Sequence, residues 1–151
     1  MTKASRLTEI DGHVAIITGA AGGIGRATAL RLADAGASIV AIDVSADARD
    51  SLAADITAWG ARAVTLAGDV TDDSVAPAAL KLALDSFKRV DILVNNAGMG
   101  SAQVPTWQID PAVWRRDLDV NLTSQFVMAR AVVPVMLETG YGRIVNVASA
   151  A

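Results

Sequence analysis

Short, nearly continuous apolar runs alternate with longer stretches in which apolar positions recur every three or four residues, and this rhythm holds from His13 to the end of the chain. Runs of the first kind predict strands buried on both faces, and stretches of the second kind predict helices. "HVAIITG", ending at Gly19, predicts the first strand. "GIGRATALRLADAG" predicts the helix after it, with Ile24, Ala27, Leu32 and Ala33 facing inward and Gly36 at its C-terminal end. "SIVAIDV" (38–44) predicts a second strand, and "SADARDSLAADITAWG" a second helix with Leu52, Ile56 and Trp59 on one stripe, closed by Gly60. A third pair follows in "AVTLAGDV" (63–70) and "DDSVAPAALKLALDSFKRV", with Pro77 early in the helix. "DILVNNAG" (91–98) predicts the fourth strand and "RIVNVAS" the fifth. Between them a long helix opens at "DPAVW", where Asp110 is placed to cap it and Pro111 to take its first position. It runs to Gly140, with a kink or break expected at Pro134. The least regular segment is 99–108.

This alternation predicts an α/β architecture with a parallel sheet. A length of 151 residues suits a single domain, 1–151. Hydrophobic residues make up 52% and aromatics only 4%. That excludes a disordered chain and suits helices packed closely on a sheet. Thirteen basic and sixteen acidic residues, scattered, give a charge of -3. No footprint for nucleic acid or an anionic membrane results, which favours small-molecule chemistry. The absence of cysteine removes disulfides, thiolate catalysis and cysteine-ligated zinc. The first dozen residues lack the apolar core of a signal peptide and no run reads as a membrane span, so a cytoplasmic location is the expectation.

Candidate chemistry begins where the first strand meets the first helix, in "TGAAGGIG". Gly19 lets the strand turn sharply, Gly23 admits a pyrophosphate close to the backbone, and Gly25 lets the helix pack tightly on the strand. The amides of the first helical turn, around Ile24, present a positive dipole end to phosphate. A tight structural turn is the alternative reading of the same glycines. Asp43 ends the second strand, where a carboxylate accepts hydrogen bonds from both hydroxyls of an adenosine ribose and repels a 2′-phosphate. No Lys or Arg occupies Ala20, Ala21, Gly22 or Val44, so nothing nearby is expected to welcome that phosphate; NAD is favoured over NADP. A solvated strand-end residue is the alternative for Asp43.

Six segments in order, "TGAAGGIG", Asp43, "GDV" (68–70), "NNAG" (95–98), "DVNL" (119–122) and "GRIVNVASAA", resemble the motifs of the short-chain dehydrogenase/reductase family across nearly the whole chain. Methyltransferases that use S-adenosylmethionine share the glycine loop and acidic strand end, but not "NNAG" with a downstream "VNL". The resemblance implies a doubly wound Rossmann sheet of order 3-2-1-4-5, with further C-terminal strands missing from this chain. It implies that Asp69 and Val70 meet adenine and that Asn95, Ala97 and Gly98 form a close-approach segment at the cofactor. Asn95 and Asn96 also admit a wholly structural reading, as cross-strand ties. The resemblance makes Asn121 the holder of a relay water and Ser149 the serine that hydrogen-bonds the substrate oxygen.

The family's tyrosine and lysine have no counterpart in the sequence. Tyr141, the sole tyrosine, precedes the fifth strand and reads as a turn residue, and His13, the sole histidine, as a solvated strand-end residue. The implied function is therefore an NAD-dependent oxidoreductase acting on a small-molecule alcohol or carbonyl, with residues 1–151 alone expected to be inactive. The alternative is a non-catalytic dinucleotide-binding or assembly module. Met99, Gln103 and Trp107 are candidates for a substrate wall, although a tryptophan there more often packs. The long helix, through Phe126, Val127, Val133 and Met136, is expected to support a homo-oligomer by resemblance. Completion of the sheet by a missing C-terminal segment is the alternative.

Overall fold

The computed structural model describes residues 10–100 and 103–149. Most of the stretch read for a signal peptide, and the closing Ala150 and Ala151, lie outside the described residues. Strands β1 (Val14–Thr18), β2 (Ser38–Asp43), β3 (Ala63–Ala67) and β4 (Ile92–Asn95) alternate with helices α1 (Gly23–Asp34), α2 (Ala46–Ala58) and α3 (Val75–Phe87). Helices α4 (Pro111–Leu118) and α5 (Ser124–Thr139), joined by a π-helical turn at Asp119–Thr123, lead to β5 (Arg143–Asn146). Neighbouring strands all pair in parallel, in the order β3-β2-β1-β4-β5. This is the predicted doubly wound order. The third, fourth and fifth strands stop earlier than the apolar pattern suggests, and the residues they shed, 68–70, 96–98 and 147–149, become loops at the carboxyl edge of the sheet.

Successive side chains of a strand point to opposite faces, so a sheet covered on both sides needs apolar residues at every position. On one face Val14, Ile16, Val40, Ile42 and Leu93 pack with α3 and α5. On the other Ala15, Ile17, Ile39 and Ala41 pack with α1 and α2. The edge strand β5 is exposed along its whole length.

Three helical expectations need correction. In α1 the buried positions are Gly25, Ala29 and Ala33; of the four residues expected inward, Ile24 is 65% exposed and Ala27 is exposed too. The smallest residues mark the buried face because α1 lies close enough to the sheet to exclude larger ones. In α2, Leu52 and Ile56 are fully buried while Trp59, at the helix exit, is 59% exposed. In the long helix no break falls at Pro134: α5 continues through it, with the proline on the exposed side, where water can meet the carbonyl that loses its amide partner. The irregularity falls at Asp119–Thr123 instead.

The stretch Pro111–Thr139 spans 29 residues and is long and apolar enough, by length and composition, to cross a membrane. This corrects the expectation that no run reaches that length. Its buried residues Asp117, Val120, Ser124, Met128, Val132 and Met136 form one stripe, and several of them join the core on the sheet. Of the residues expected to be covered, Met136 is buried, Val127 and Val133 are half-buried, and Phe126 is exposed.

Candidate functional site

The sheet grows in opposite directions from β1 and β4, and the diverging connections open a crevice at the carboxyl ends of these two strands. A cleft of about 540 Å³ lies there, lined by Gly19, Asp43, Asp69, Val70, Ala97 and Gly98 among others. Gly19 has φ +60°, and a Cβ on it would stand 2.9 Å from the Cα of Ala97. Both facts require glycine. A Cβ on Gly25 would run into the carbonyl oxygen of Gly19, so α1 rests directly on the turn that precedes it. Before Gly23 the space is open, with no atom within 4 Å of where a Cβ would stand. The first turn of α1 carries no acidic residue and no side-chain cap. Its leading amides are therefore available to an anion. The Ile24 side chain is turned to solvent and is not on the cleft wall.

Two asparagines divide the work of fixing this loop. Asn96 donates from Nδ2 to the carbonyls of Thr18 and Gly19, at 3.1 and 2.9 Å. The Thr18 hydroxyl oxygen in turn accepts from the amides of Asn96 and Ala97, both at 3.0 Å. The end of β4 and the glycine loop are thus one hydrogen-bonded unit. Asn95, assigned to the cofactor by the motif, is instead buried beside β5: its Nδ2 donates to Asn146 Oδ1 at 2.8 Å and to the Gln125 carbonyl at 3.4 Å. Asn95 is the last residue of β4 and faces β5, whereas Asn96 opens the loop at the carboxyl edge and reaches the cleft.

Asp43 Oδ2 accepts from the Ala21 amide at 2.9 Å and Oδ1 from the Ser45 amide at 3.0 Å. The carboxylate is held at the cleft wall by neutral donors. Arg49, almost buried, donates from Nη1 to the Asp43 main-chain oxygen at 3.3 Å. This guanidinium stays behind the turn and off the cleft wall. Asp69 is placed differently. Its Oδ1 accepts from the Thr71 amide (3.0 Å) and hydroxyl (2.8 Å), and its Oδ2 pairs with Arg116 Nη2 at 2.6 Å. Arg116 and Thr71 lower the Asp69 carboxyl to about 2.

Asn121 sits inside the π-helical turn, a distortion frequent at functional sites. Its side chain brackets Met99, accepting from the amide at 3.0 Å and donating to the carbonyl at 3.1 Å. Met99 lines the cleft; Gln103 and Trp107 do not, and Trp107 is 84% exposed, so it neither packs nor walls this cleft. Ser149 follows β5 at the carboxyl edge and is exposed. Tyr141 and His13 lie at the opposite, amino edge, their rings 4.8 Å apart. His13 is thus half-buried against Tyr141. Arg116 was invisible to sequence reasoning, because it and Asp69 are 47 residues apart and no local pattern joins them; Thr71 and Arg49 lie close in sequence to the carboxylates they support and were missed.

A family model described as short chain dehydrogenase matches residues 13–151. The chain is 40% identical over 140 residues to a 2-dehydro-3-deoxy-L-rhamnonate dehydrogenase (NAD(+)) of Sphingomonas sp. (strain SKA58), covering 93% of this chain and 55% of that protein. Among solved structures, a metagenomic short-chain oxidoreductase in complex with NADP superposes with a TM-score of 0.89 at 34% identity, covering 94% of this chain and 64% of that one. An NAD+-bound xylitol dehydrogenase gives a TM-score of 0.89 at 35% identity, covering 93% of this chain and 54% of that one. The chain spans little more than half the length of the curated relatives it matches. With its fold, its crevice and these relatives in agreement, the chain belongs to the short-chain dehydrogenase/reductase family of oxidoreductases.

Proposed function

We propose that this chain forms the dinucleotide-binding half of an NAD-dependent dehydrogenase or carbonyl reductase acting on a small alcohol or carbonyl compound. The observation that carries this reading is the chemistry of the donor set around one cleft. Backbone amides without an acidic neighbour stand at the start of α1, and carboxylates stand at Asp43 and Asp69 on the wall. Such a set fits a pyrophosphate flanked by groups that donate hydrogen bonds. Gly19 and Gly25 keep the loop close to β4, and the lock between Thr18 and Asn96 holds it there. When bound, the dinucleotide supplies the hydride acceptor or donor. Asp43 favours an unphosphorylated ribose, hence NAD over NADP; relatives of known structure hold either form.

On the substrate side, Asn121 fixes the loop at Met99, and Ser149 is proposed to orient the reacting oxygen. Proton transfer is proposed to require a tyrosine and lysine beyond these residues. Free tyrosine, with a pKa of about 10, is a poor base at neutral pH and needs a nearby cation to favour its phenolate. Tyr141 packs at a tilt on His13 at the far edge of the sheet, so it does not serve.

The face of the long helix opposite the sheet exposes Trp114, Leu118, Leu122 and Phe126 at four-residue spacing, which supports self-association in the same proposal. Fluorescence titration with NADH and NADPH, paired with an alcohol oxidation assay on residues 1–151, tests the reading. Expected are saturable NADH binding, about tenfold or more tighter than NADPH, and no turnover. Absence of dinucleotide binding would overturn the proposal. Turnover by residues 1–151 would overturn the assignment of proton transfer to residues elsewhere. Binding without turnover by the intact protein as well would select a non-catalytic module.

A further inference from the structure

We propose that Arg116 is the positioning residue of the adenine end of the cleft, holding Asp69 in the one orientation that receives the exocyclic amine of the base. This rests on the dinucleotide reading above. Asp69 sits in the loop between β3 and α3, whereas Arg116 sits on α4, and both line the cleft. The guanidinium forks: Nη2 donates to Asp69 Oδ2 at 2.6 Å and Nη1 to the Thr71 hydroxyl oxygen at 2.5 Å. That hydroxyl passes its own proton to Asp69 Oδ1 at 2.8 Å, and the Thr71 amide donates to the same oxygen at 3.0 Å. The carboxylate is therefore gripped from its own loop on one oxygen and from across the cleft on the other. Neither grip alone fixes the plane of the group; together they do. A fork of this shape needs the planar, multiply donating head of arginine, which a lysine cannot reproduce.

Charge leads to the same conclusion. Asp43 is held at the cleft by neutral amides, an arrangement that suits ribose hydroxyls. Asp69 is paired with a cation, so its end of the cleft carries no net charge, which suits a neutral base that offers one amine. Two uncompensated carboxylates in one cleft would repel the pyrophosphate between them, and Arg116 removes one of the two. Thr71 takes both acceptor sites of Asp69 Oδ1, while Oδ2, bonded by Arg116 alone, still has a lone pair to offer the amine.

The experiment compares Arg116→Met and Arg116→Lys with the unaltered sequence in the intact protein, after thermal melts show each to be folded. Three probes are titrated: NADH, its analogue with hypoxanthine in place of adenine, and reduced nicotinamide mononucleotide, which lacks the adenosine half. The unaltered protein is expected to prefer NADH over the hypoxanthine analogue by about tenfold, the scale of one charge-assisted hydrogen bond. Arg116→Met is expected to abolish that preference, weakening NADH about tenfold, the analogue about twofold or less, and the mononucleotide not at all. Arg116→Lys restores only part of the preference. Equal weakening of all three probes, or an intact preference in Arg116→Met, overturns the inference and leaves dinucleotide binding standing. Failure of the unaltered protein to bind NADH overturns the dinucleotide reading and this inference with it.

Discussion

The two edges of the sheet use the same chemistry to opposite ends. At the amino edge Asp91 is fully buried; its Oδ2 accepts from the Val14 amide and from Arg89 Nε, and its Oδ1 from Arg89 Nη2, all at 2.8 Å. Beside it the His13 and Tyr141 rings pack together and the Arg143 guanidinium lies 4.7 Å over the Tyr141 ring. At the carboxyl edge Asp43 also accepts from backbone amides, but among the described residues it meets no cation on its carboxylate, and it faces a cleft. One carboxylate is closed by its partners, and the other is oriented by its partners and left with capacity. A site is distinguished from a structural joint by what its groups have not yet bonded, and not by which residue types it contains.

Removing the closed carboxylate tests this contrast most severely. Asp91→Ala strands the buried Val14 amide and frees Arg89, and is expected to cost about 3 kcal/mol of stability, read from the denaturant midpoint. The folded fraction should retain its affinity for NADH within about twofold; a tenfold loss would show that the two edges are not separable. Gly25→Ala is the next largest. Its Cβ meets backbone rather than a movable side chain, so about 2 kcal/mol of stability and most of the NADH affinity should go together. Asp43→Ala should lower stability by only about 1 kcal/mol and yet weaken NADH about tenfold while sparing NADPH. An equal loss for both dinucleotides would remove the ribose assignment.

The smallest effect concerns pH. The Asp69 carboxyl is lowered from its ordinary 3.8 to about 2 in the folded protein, first by Arg116 and then by Thr71. A depressed value means that its contribution is complete above about pH 4 and fades as the pH falls through about 2. The pair is more than a third exposed, so solvent screening should hold the contribution below about 1 kcal/mol. A carboxyl NMR titration of Asp69 checks the midpoint, and Arg116→Met should raise it.

Strand order and the glycine turn were legible because they depend on local pattern: apolar runs of strand length, and glycines where a strand meets a helix. Residue-level detail failed where hydrophobicity was taken as a guide to burial. Ile24 and Trp59 are large and exposed, while Gly25 and Ala29 are small and buried, because close approach selects for size before it selects for greasiness. Asn95 and Asn96 could not be told apart from the motif, since which of them faces the cleft depends on where β4 ends. The π-helical turn at Asp119–Thr123 left no mark in the polarity pattern, and Pro134, which did, proved compatible with a continuous helix. Arg116 could be found only from the fold, which brings α4 over the loop after β3.

The alanine-rich seam beneath α1 has a consequence for how this protein can change. Ala15, Ala29, Ala33 and Ala41 meet there with almost no exposed surface, whereas the opposite face is filled by Met128, Val132 and Met136 over Ile16 and Leu93. Flexible thioethers on that second face can reshape around a substitution. The seam under α1 has no such slack, since any added methylene must displace a helix whose first turn sits at the cleft. Random substitution should therefore find the two helices unequal: α5, with its buried methionines, open to drift, and α1 frozen around the smallest residues.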